Sequence, residues 1–422
     1  MRMNRGFYTI MAAQFFSSLA DNALLIAAIA LLTTMQAPAW MTPLLKLFFV
    51  LSYVLLAAFV GAFADSLPKG RVMFITNLIK IFGCVMMFAS VHPLIAYGIV
   101  GFGAAAYSPA KYGILTELLP PEKLVAANGW IEGLTVISII LGTVMGGALV
   151  NSQVAASLLS IDFPVIDLGI DTAAEAALSV IMLVYLAAAA FNLRIPDTGA
   201  RYPHQERNPI KLVVDFAGCF TTLWKDKLGQ ISLAVTTLFW GAGATLQFIV
   251  LKWAEKSLNM PLDKAAILQG VFAIGVAIGA TAAARFVPLK KALTVMPLGV
   301  GMGLIVTTMT MVHSVWLAYV LLVLIGALAG YFVVPMNALL QHRGHVLLSA
   351  GHSIAVQNFN ENLSVLTMLM LYALMVKLNL DINVVIVLFG LFVAGTMILA
   401  MRKHGANQRL HDSLSLIGEH KH

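Results

Sequence analysis

Long apolar stretches separated by short polar connections are the feature that most limits how this chain can fold. With 60% hydrophobic and only 11% charged residues among 422, the chain has too few polar side chains to cover a soluble protein of this size. Stretches of roughly 20 residues, the length that crosses the hydrocarbon core of a bilayer, number about twelve. Lipid offers no partner to backbone amides, so each stretch is expected to be a helix. The predicted fold class is therefore an all-α polytopic membrane protein. The predicted spans are 8–34, 43–64, 72–90, 93–112, 125–150, 174–193, 229–252, 265–286, 292–311, 315–340, 351–376 and 382–402.

The distribution of Lys and Arg predicts how these spans are oriented. Most of the 26 basic residues fall at one set of alternate connections, which includes both termini. This asymmetry favours cytoplasmic termini. The connection 151–173 then lies outside, and it carries Asp162, Asp167 and Asp171 without any Lys or Arg. Because the positive-inside rule accounts for the net charge of +7, no nucleic-acid partner is predicted.

The longest inner connection, 194–228, falls at the midpoint of the spans. Asn208 followed by Pro209 predicts a helix start. The residues that follow mix apolar side chains with Lys211 and Lys225, a pattern typical of an amphipathic helix on the inner membrane face. Two halves of six helices around such a linker are typical of secondary transporters. The predicted domains are the first half 1–193, the linker 194–228, the second half 229–402 and a cytoplasmic tail 403–422.

The two halves also share sequence features. The triplet Pro-x-Lys that ends at Lys111 is echoed in the second half by Pro-x-Asn ending at Asn337, and Glu132 is echoed by Glu361 at nearly the same separation along the chain. Each copy places polar side chains in a stretch that is otherwise apolar. This pattern predicts an internal duplication.

Polar side chains within predicted spans are the candidate site residues. A charge at the centre of a membrane helix costs ~2.5–3.5 kcal/mol unless it faces protein or water. Asp21 in the first span and Glu361 in the eleventh are the clearest cases. Lys80 could line the same cavity or snorkel to water, and Lys111 could bind a headgroup or form an inner ion pair with Glu132. The predicted substrate-binding residues are Asp21, Asn22, Asn77, Lys80, Lys111, Gln247, Lys252, Asn337, Gln357, Asn358 and Glu361.

The connection after the second span reads Gly61-x-x-x-Asp65-x-x-x-Lys69-Gly-Arg71. This motif resembles a loop of the major facilitator superfamily, in which an acid and a base tie the inner ends of neighbouring helices. The spacing from Asp65 to Arg71 is longer than the usual form. The resemblance implies that these residues govern conformational switching rather than substrate contact. The predicted gating residues are Asp65, Lys69, Arg71 and Glu132.

Six longer runs resemble one family within that superfamily, the bacterial lysophospholipid transporters. They are DNALL from Asp21, VGAFADSLPKGR from Val60, GAAAYSPAKYGIL from Gly103, FWGAG from Phe239, FVVPMNALLQ from Phe332 and AVQNFNEN from Ala355. The resemblance implies transport of lysophosphatidylethanolamine and lysophosphatidylglycerol from the outer to the inner leaflet of the bacterial inner membrane, by alternating access. It further implies a monomer without cofactors, surrounded by membrane lipids and coupled in function to an acyltransferase on the cytoplasmic face.

One position departs from this resemblance. Gln247 follows Asp21 by the same number of residues as Asn337 follows Lys111. The family is expected to carry an arginine near this position. An ion pair between Asp21 and the predicted span 229–252, which contains Gln247, is therefore in doubt. Lys252 could supply the positive charge by reaching inward along its apolar stem.

Two other function classes compete with lipid transport. A proton-coupled exporter of amphipathic drugs, in particular cations, would also use Asp21 and Glu361. A membrane acyltransferase would need a His-x-x-x-x-Asp set, which does not occur in the sequence. The two cysteines, Cys84 and Cys219, give neither a disulfide framework nor metal spacing. The sequence therefore predicts a transporter, not an enzyme, with no metal site.

Overall fold

The computed structural model describes residues 3–118, 121–161, 172–201, 204, 206–348 and 350–418. Almost all of these residues are helical, and none of them is in a strand. Asp162, Asp167 and Asp171 of the predicted outer connection lie outside the described residues. The α-helices are α1 (Arg5–Thr34), α2 (Thr42–Leu55), α3 (Val60–Ser66), α4 (Lys69–Phe88), α5 (Pro93–Leu118), α6 (Pro121–Leu149), α7 (Ser152–Leu159), α8 (Ala173–Leu193), α9 (Pro209–Lys225), α10 (Lys227–Ser257), α11 (Leu262–Phe286), α12 (Met296–Thr307), α13 (Val315–Leu347), α14 (Ala350–Lys377) and α15 (Ile382–Leu410). Short 3₁₀ segments lie at Ala39–Met41, Leu289–Val295, Thr308–Met311 and Ser413–Leu416.

Each of the twelve predicted spans coincides with one or more of these helices. Within the described residues, nine helical stretches are long and apolar enough to cross a membrane, and two bent pairs would raise the number to eleven. One bent pair joins Ala39–Leu55 to Val60–Ser66 at 71°, and the other joins Gly133–Leu149 to Ser152–Leu159 at 72°. The remaining predicted span, 93–112, corresponds to α5, whose 26 residues are long enough to cross.

Local capping explains where α9 and α10 begin. The side chain of Asn208 accepts a hydrogen bond from the amide of Ile210, and Pro209 occupies the first helical position, as the sequence predicts. Asp226 is the only residue between α9 and α10, and its side chain accepts from the amide of Gly229. The chain therefore passes from α9 into a membrane span without a flexible connection.

The chain divides into two compact units. The first consists of Met1–Leu56, Ala62–Gln205 and Met260–Gly270. In it α1 packs against α6 and α8, while α4 packs against α5 and α8. Gly101 of α5 lies directly against the backbone of Phe49, where no Cβ would fit. A small residue at this position lets α2 and α5 approach closely, as is common between membrane helices.

The second unit consists of Ala57–Gly61, Glu206–Asn259 and Val271–His422. Here α10 packs against α13, α14 and α15, and α12 packs against α15. Gly275 and Gly279 of α11 lie against the backbone of Val323 and Ala327 in α13. This Gly-x-x-x-Gly spacing places both glycines on one face of α11, so two helices pack with almost no side chain between them.

Candidate functional site

A buried ion pair lies within the first unit. The Lys80 ammonium of α4 is 2.8 Å from Oδ2 of Asp21 in α1. The hydroxyl of Tyr185 in α8 donates to Oδ1 of the same carboxylate at 2.5 Å. The Lys80 side chain is 3% exposed and that of Asp21 16%. Lys80 therefore does not snorkel to water, and both oxygens of Asp21 are bonded to protein.

Further polar contacts hold the ammonium group of Lys80. It donates to Oγ of Ser17 at 2.9 Å, and Ser17 donates in turn to Oδ1 of Asn77 at 2.7 Å. The ammonium also lies 5.0 Å from the ring centroid of Tyr107, a cation–π distance. A carboxylate, a hydroxyl and an aromatic face thus surround this cation, and we call Ser17, Asp21, Asn77, Lys80 and Tyr185 the α1–α4–α8 network.

Helical spacing explains why these side chains meet. Ser17 and Asp21 are four residues apart on α1, and Asn77 and Lys80 are three apart on α4, so each pair shares one face of its helix. Gly103 of α5 lies where a Cβ would come within 2.8 Å of Cγ of Lys80. The missing side chain at Gly103 therefore leaves room for the Lys80 stem.

Several buried polar atoms in and beside the network have no hydrogen-bond partner among the described residues. Nδ2 of Asn77, the hydroxyl of Tyr107 and Nε2 of Gln14 are buried, and none has a hydrogen-bond partner in the described part of the chain. Buried polar groups without protein partners are commonly satisfied by ordered water. Asn22, another predicted site residue, is half-buried and donates to the carbonyl of Ser18 in its own helix at 2.8 Å.

The second unit has a cluster of amide and acid side chains on α13 and α14. Nε2 of Gln357 lies 2.8 Å from Oε1 of Glu361 and 3.4 Å from Oδ1 of Asn337. All three residues are half-buried. Gln357 therefore bridges the two predicted site residues that come from different helices.

The other predicted site residues of the second unit are half-buried as well. They are Gln247 and Lys252 on α10 and Asn358 on α14. Lys252 forms no ion pair with any residue that the structure describes. Asp21 has Lys80 as its cationic partner in its own unit, so the charge of Asp21 is compensated without a base on α10.

A second buried ion pair lies where α4 begins. The Lys69 ammonium is 2.6 Å from Oδ1 of Asp65 and 3.4 Å from Oε1 of Glu117, and it also donates to the carbonyl of Ala64 at 2.8 Å. Gly113 makes room for the Lys69 stem, since a Cβ there would lie 3.1 Å from Cε of Lys69. Glu117 also accepts from the hydroxyl of Thr198 at 2.7 Å, so the segment after α8 is tied to the same group.

Lys69, rather than Arg71, is the base that pairs with Asp65. Arg71 is exposed and makes no ion pair with a described residue, because the base four residues after Asp65 already occupies the buried position. Lys111 is half-buried, and its ammonium lies 4.7 Å from the ring centroid of Tyr112. The side chain of Glu132 lies outside the described residues, so its predicted pairing with Lys111 stays a prediction.

The second unit has a comparable ion pair where α10 begins, which the sequence patterns do not single out. Arg343 of α13 donates through Nη2 to Oδ1 of Asp226 at 2.6 Å and through Nε to Oδ2 at 2.9 Å. Arg343 is 2% exposed, and such bidentate pairs are strong and geometrically specific. Nη1 of Arg343 also reaches the carbonyl of Leu416 at 3.5 Å, which connects the tail to this pair.

The linker after α8 contains an exposed ion pair. The Arg201 guanidinium and then the amide of Gly199 donate to Asp197 and lower the pKa of its carboxyl to about 2. Asp197 therefore stays ionised at physiological pH. Both side chains are more than half exposed, and pairs of this kind contribute little to stability.

Comparisons with known proteins agree with this architecture. The family model of the Major Facilitator Superfamily matches residues 10–363. The lysophospholipid transporter LplT of Yersinia enterocolitica is 43% identical over 382 residues, which cover 90% of this chain and 89% of that protein. LplT of Photorhabdus laumondii is 41% identical and covers 94% of each chain.

Solved structures show the same fold at low sequence identity. The POT family transporter PepTSo has a TM-score of 0.69 at 12% identity and covers 97% of this chain and 99% of its own. A bacterial homolog of the human lysosomal transporter Spinster has a TM-score of 0.66 at 16% identity and covers 96% and 99%. These two similarities establish the fold alone. The matching family model and the near full-length relatives together show that the chain belongs to the lysophospholipid transporter LplT family of the Major Facilitator Superfamily.

Proposed function

We propose that this chain moves lysophospholipids, chiefly lysophosphatidylethanolamine and lysophosphatidylglycerol, from the outer to the inner leaflet of a bacterial inner membrane by alternating access. The observation that carries the proposal is the 41–43% identity, over about nine-tenths of the chain, to relatives named for lysophospholipid transport. These names favour a lysophospholipid over the amphipathic cation that an exporter would carry.

The α1–α4–α8 network suits a zwitterionic headgroup on physical grounds. A phosphate could replace Asp21 as the partner of Lys80, and an ammonium could replace Lys80 as the partner of Asp21. In such an exchange both Lys80 and Asp21 keep a partner of opposite charge, so neither buried charge is left unpaired, which would be costly. The network can therefore open to a lysophosphatidylethanolamine headgroup at a small net cost.

The second unit contributes a complementary set of groups in this proposal. Glu361 offers a carboxylate, while Gln357 and Asn337 offer amide donors and acceptors that can satisfy phosphate and glycerol oxygens. Gln247, Lys252, Asn358, Asn22 and Lys111 remain proposed contributors to substrate binding. The ion pairs of Lys69 and Arg343 are proposed to stabilise the helix ends during switching, with Asp65, Arg71 and Glu132 as further gating residues.

The cellular arrangement follows from the same proposal. With both termini and residues 194–228 in the cytoplasm, the transported lipid would reach the inner leaflet without covalent change. An acyltransferase at the cytoplasmic face would then add the missing chain. The transporter itself acts as a monomer and needs no cofactor in this scheme.

Reconstitution tests the proposal directly. Fluorescent lysophosphatidylethanolamine is added to the outer leaflet of liposomes that contain the purified chain, and albumin extracts whatever remains outside. The lipid is expected to become protected from albumin faster than in protein-free liposomes and to be recovered unmodified. Equal rates with correctly folded protein would rule out flipping, and a chemically altered lipid would indicate an enzyme.

Charge-neutralised variants test the site within the same assay. Asp21→Asn and Glu361→Gln keep the size of each side chain but remove its charge, and both are expected to slow the appearance of protected lipid. Asp215→Asn and Glu255→Gln are the matched controls, because both acids are exposed and lie outside the two clusters. Native rates in both cluster variants would leave the carboxylates as packing features only.

A further inference from the structure

Helix α9 has a packed apolar face and, next to it, an exposed one. The first packs against α14: the rings of Phe216 and Phe220 lie 5.3 and 6.0 Å from that of Phe359, and Leu223 is fully buried. Nε1 of Trp224 also donates to Oδ1 of Asn360 at 3.1 Å. This face accounts for the way α9 is held on the second unit.

The second apolar face has no partner within the described part of the unit. Ile210, Val213 and Val214 are 74%, 47% and 63% exposed, and Ala217 is exposed as well. Their spacing of i, i+3, i+4 and i+7 places them on one stripe of the helix. We call these four residues the α9 stripe.

The position of α9 along the chain decides what covers this stripe. Asp226 alone separates α9 from α10, which is long and apolar enough to cross a membrane. Because Asp226 is fixed both as the cap of α10 and by Arg343, α9 is held at the level where α10 enters the bilayer. An apolar stripe at that level meets the boundary between headgroups and acyl chains.

Basic side chains border the stripe. Lys225 is exposed, and Lys211 is 68% exposed and 3.6 Å from Glu206. Backbone amides of Asn208 and Arg207 help hold Glu206 ionised, and its pKa is lowered. The helical positions of both lysines are on the polar side of the stripe, where an ammonium can reach lipid phosphate while its stem follows the apolar face.

We propose that α9 is a lipid-binding helix whose stripe inserts at the membrane surface, with Lys211 and Lys225 binding the phosphates of anionic phospholipids. This binding is separate from transport of a substrate, since it uses none of the residues of the two polar clusters. Trp224 donates to Asn360, the neighbour of Glu361 in sequence. The helix that meets the lipid is therefore in contact with α14, which carries this acid.

Fluorescence quenching in the full-length protein tests this inference. A bimane label is attached at Val214→Cys on the stripe or at Thr222→Cys on the exposed polar side, with Cys84 and Cys219 replaced by serine. Brominated lipid is expected to quench the label at residue 214 and aqueous iodide the label at residue 222. If iodide reaches both labels equally, the stripe lies in water and the proposal is wrong. If neither brominated lipid nor iodide quenches the label at residue 214 when only the purified chain is present in the bilayer, a second copy of the chain covers the stripe. That result would also overturn the proposal.

The choice of lipid tests the basic residues. At low salt, brominated phosphatidylglycerol is expected to quench the label at residue 214 in preference to brominated phosphatidylcholine, by about fivefold for each lysine. Lys211→Gln with Lys225→Gln should abolish this preference while quenching by lipid remains. Lys256→Gln, at an exposed lysine at the other end of α10, is the matched control. A preference that survives the double substitution would refute the assignment of the two lysines.

Discussion

Replacing Lys80 with methionine tests whether the buried ion pair stabilises the first unit. The substitution keeps most of the length of the side chain but leaves the Asp21 carboxylate with the hydrogen bond from Tyr185 and without its ion pair. Removing one member of a buried pair typically costs ~3–5 kcal/mol, because the other charge stays unpaired. Since the Asp21 side chain is 16% exposed, water can compensate in part, and the lower end of about 3 kcal/mol is expected.

The double variant Asp21→Asn with Lys80→Met separates pairing from packing. With no charge left in the pair, it is expected to lose only about 1 kcal/mol, typical of one net hydrogen bond. The double variant should therefore be more stable than Lys80→Met alone, by roughly 2 kcal/mol.

Cys84 provides the assay for this comparison. It lies fully buried on α4, so a thiol-reactive fluorophore reports when the first unit opens on heating. Cys219→Ser, present in every variant, removes the half-buried second thiol. A loss of about 3 kcal/mol corresponds to a midpoint roughly 6–12 °C lower for a cooperative unit of this size. A double variant that is no more stable than Lys80→Met alone would show that the unpaired Asp21 charge does not cause the loss.

Three further predictions concern orientation, switching and selectivity. In whole cells, an impermeant thiol reagent should label Ser160→Cys but not His204→Cys, because the distribution of basic residues predicts a cytoplasmic linker. Labelling at residue 204 would contradict the predicted topology. Asp65→Asn removes one of the two acids beside the buried Lys69 and should slow transport about fivefold, with lysolipid affinity nearly unchanged. This factor is equivalent to ~1 kcal/mol, because the Asp65 side chain is 37% exposed. Lost affinity at a normal switching rate would contradict the gating role. Gln247→Arg introduces the base expected from the family resemblance and should raise the rate for lysophosphatidylglycerol relative to lysophosphatidylethanolamine, and an unchanged ratio of the two rates would argue against a headgroup contact there.

The helices could be predicted because the membrane leaves few alternatives. Any apolar stretch of about 20 residues must satisfy its backbone internally, so length and hydropathy suffice to place it. The start of α9 at Asn208 and Pro209 was equally open to prediction, since capping is local. The break of the second span into α2 and α3, with a bend of 71°, could not be read from composition because both pieces are apolar.

The candidate site was predictable only as a set of residues, not as a set of contacts. Asp21 and Lys80 each stand out as charges within apolar spans, but the sequence does not reveal which helices are neighbours. The repeat offset points from Asp21 to Gln247, whereas the observed partner is Lys80. Tyr185 carries no signal at all, because a buried tyrosine in a span rich in alanine and leucine has no distinctive spacing. Whether these residues contact substrate stays a prediction.

The buried charges near the ends of α5 and α13 show that positions related by the predicted repeat offset can both carry a charge although its sign differs. Arg343 follows Glu117 at the same offset that relates Asn337 to Lys111, and each lies near the end of its helix, α13 or α5. Glu117 pairs with Lys69 at the start of α4, and Arg343 pairs with Asp226 at the start of α10. Their partners are not related by this offset, which leads from Lys69 to Val295 at the end of a 3₁₀ segment rather than to Asp226. A search for identical residues at the repeat offset therefore misses Arg343, whereas a search for any buried charge at that offset finds it.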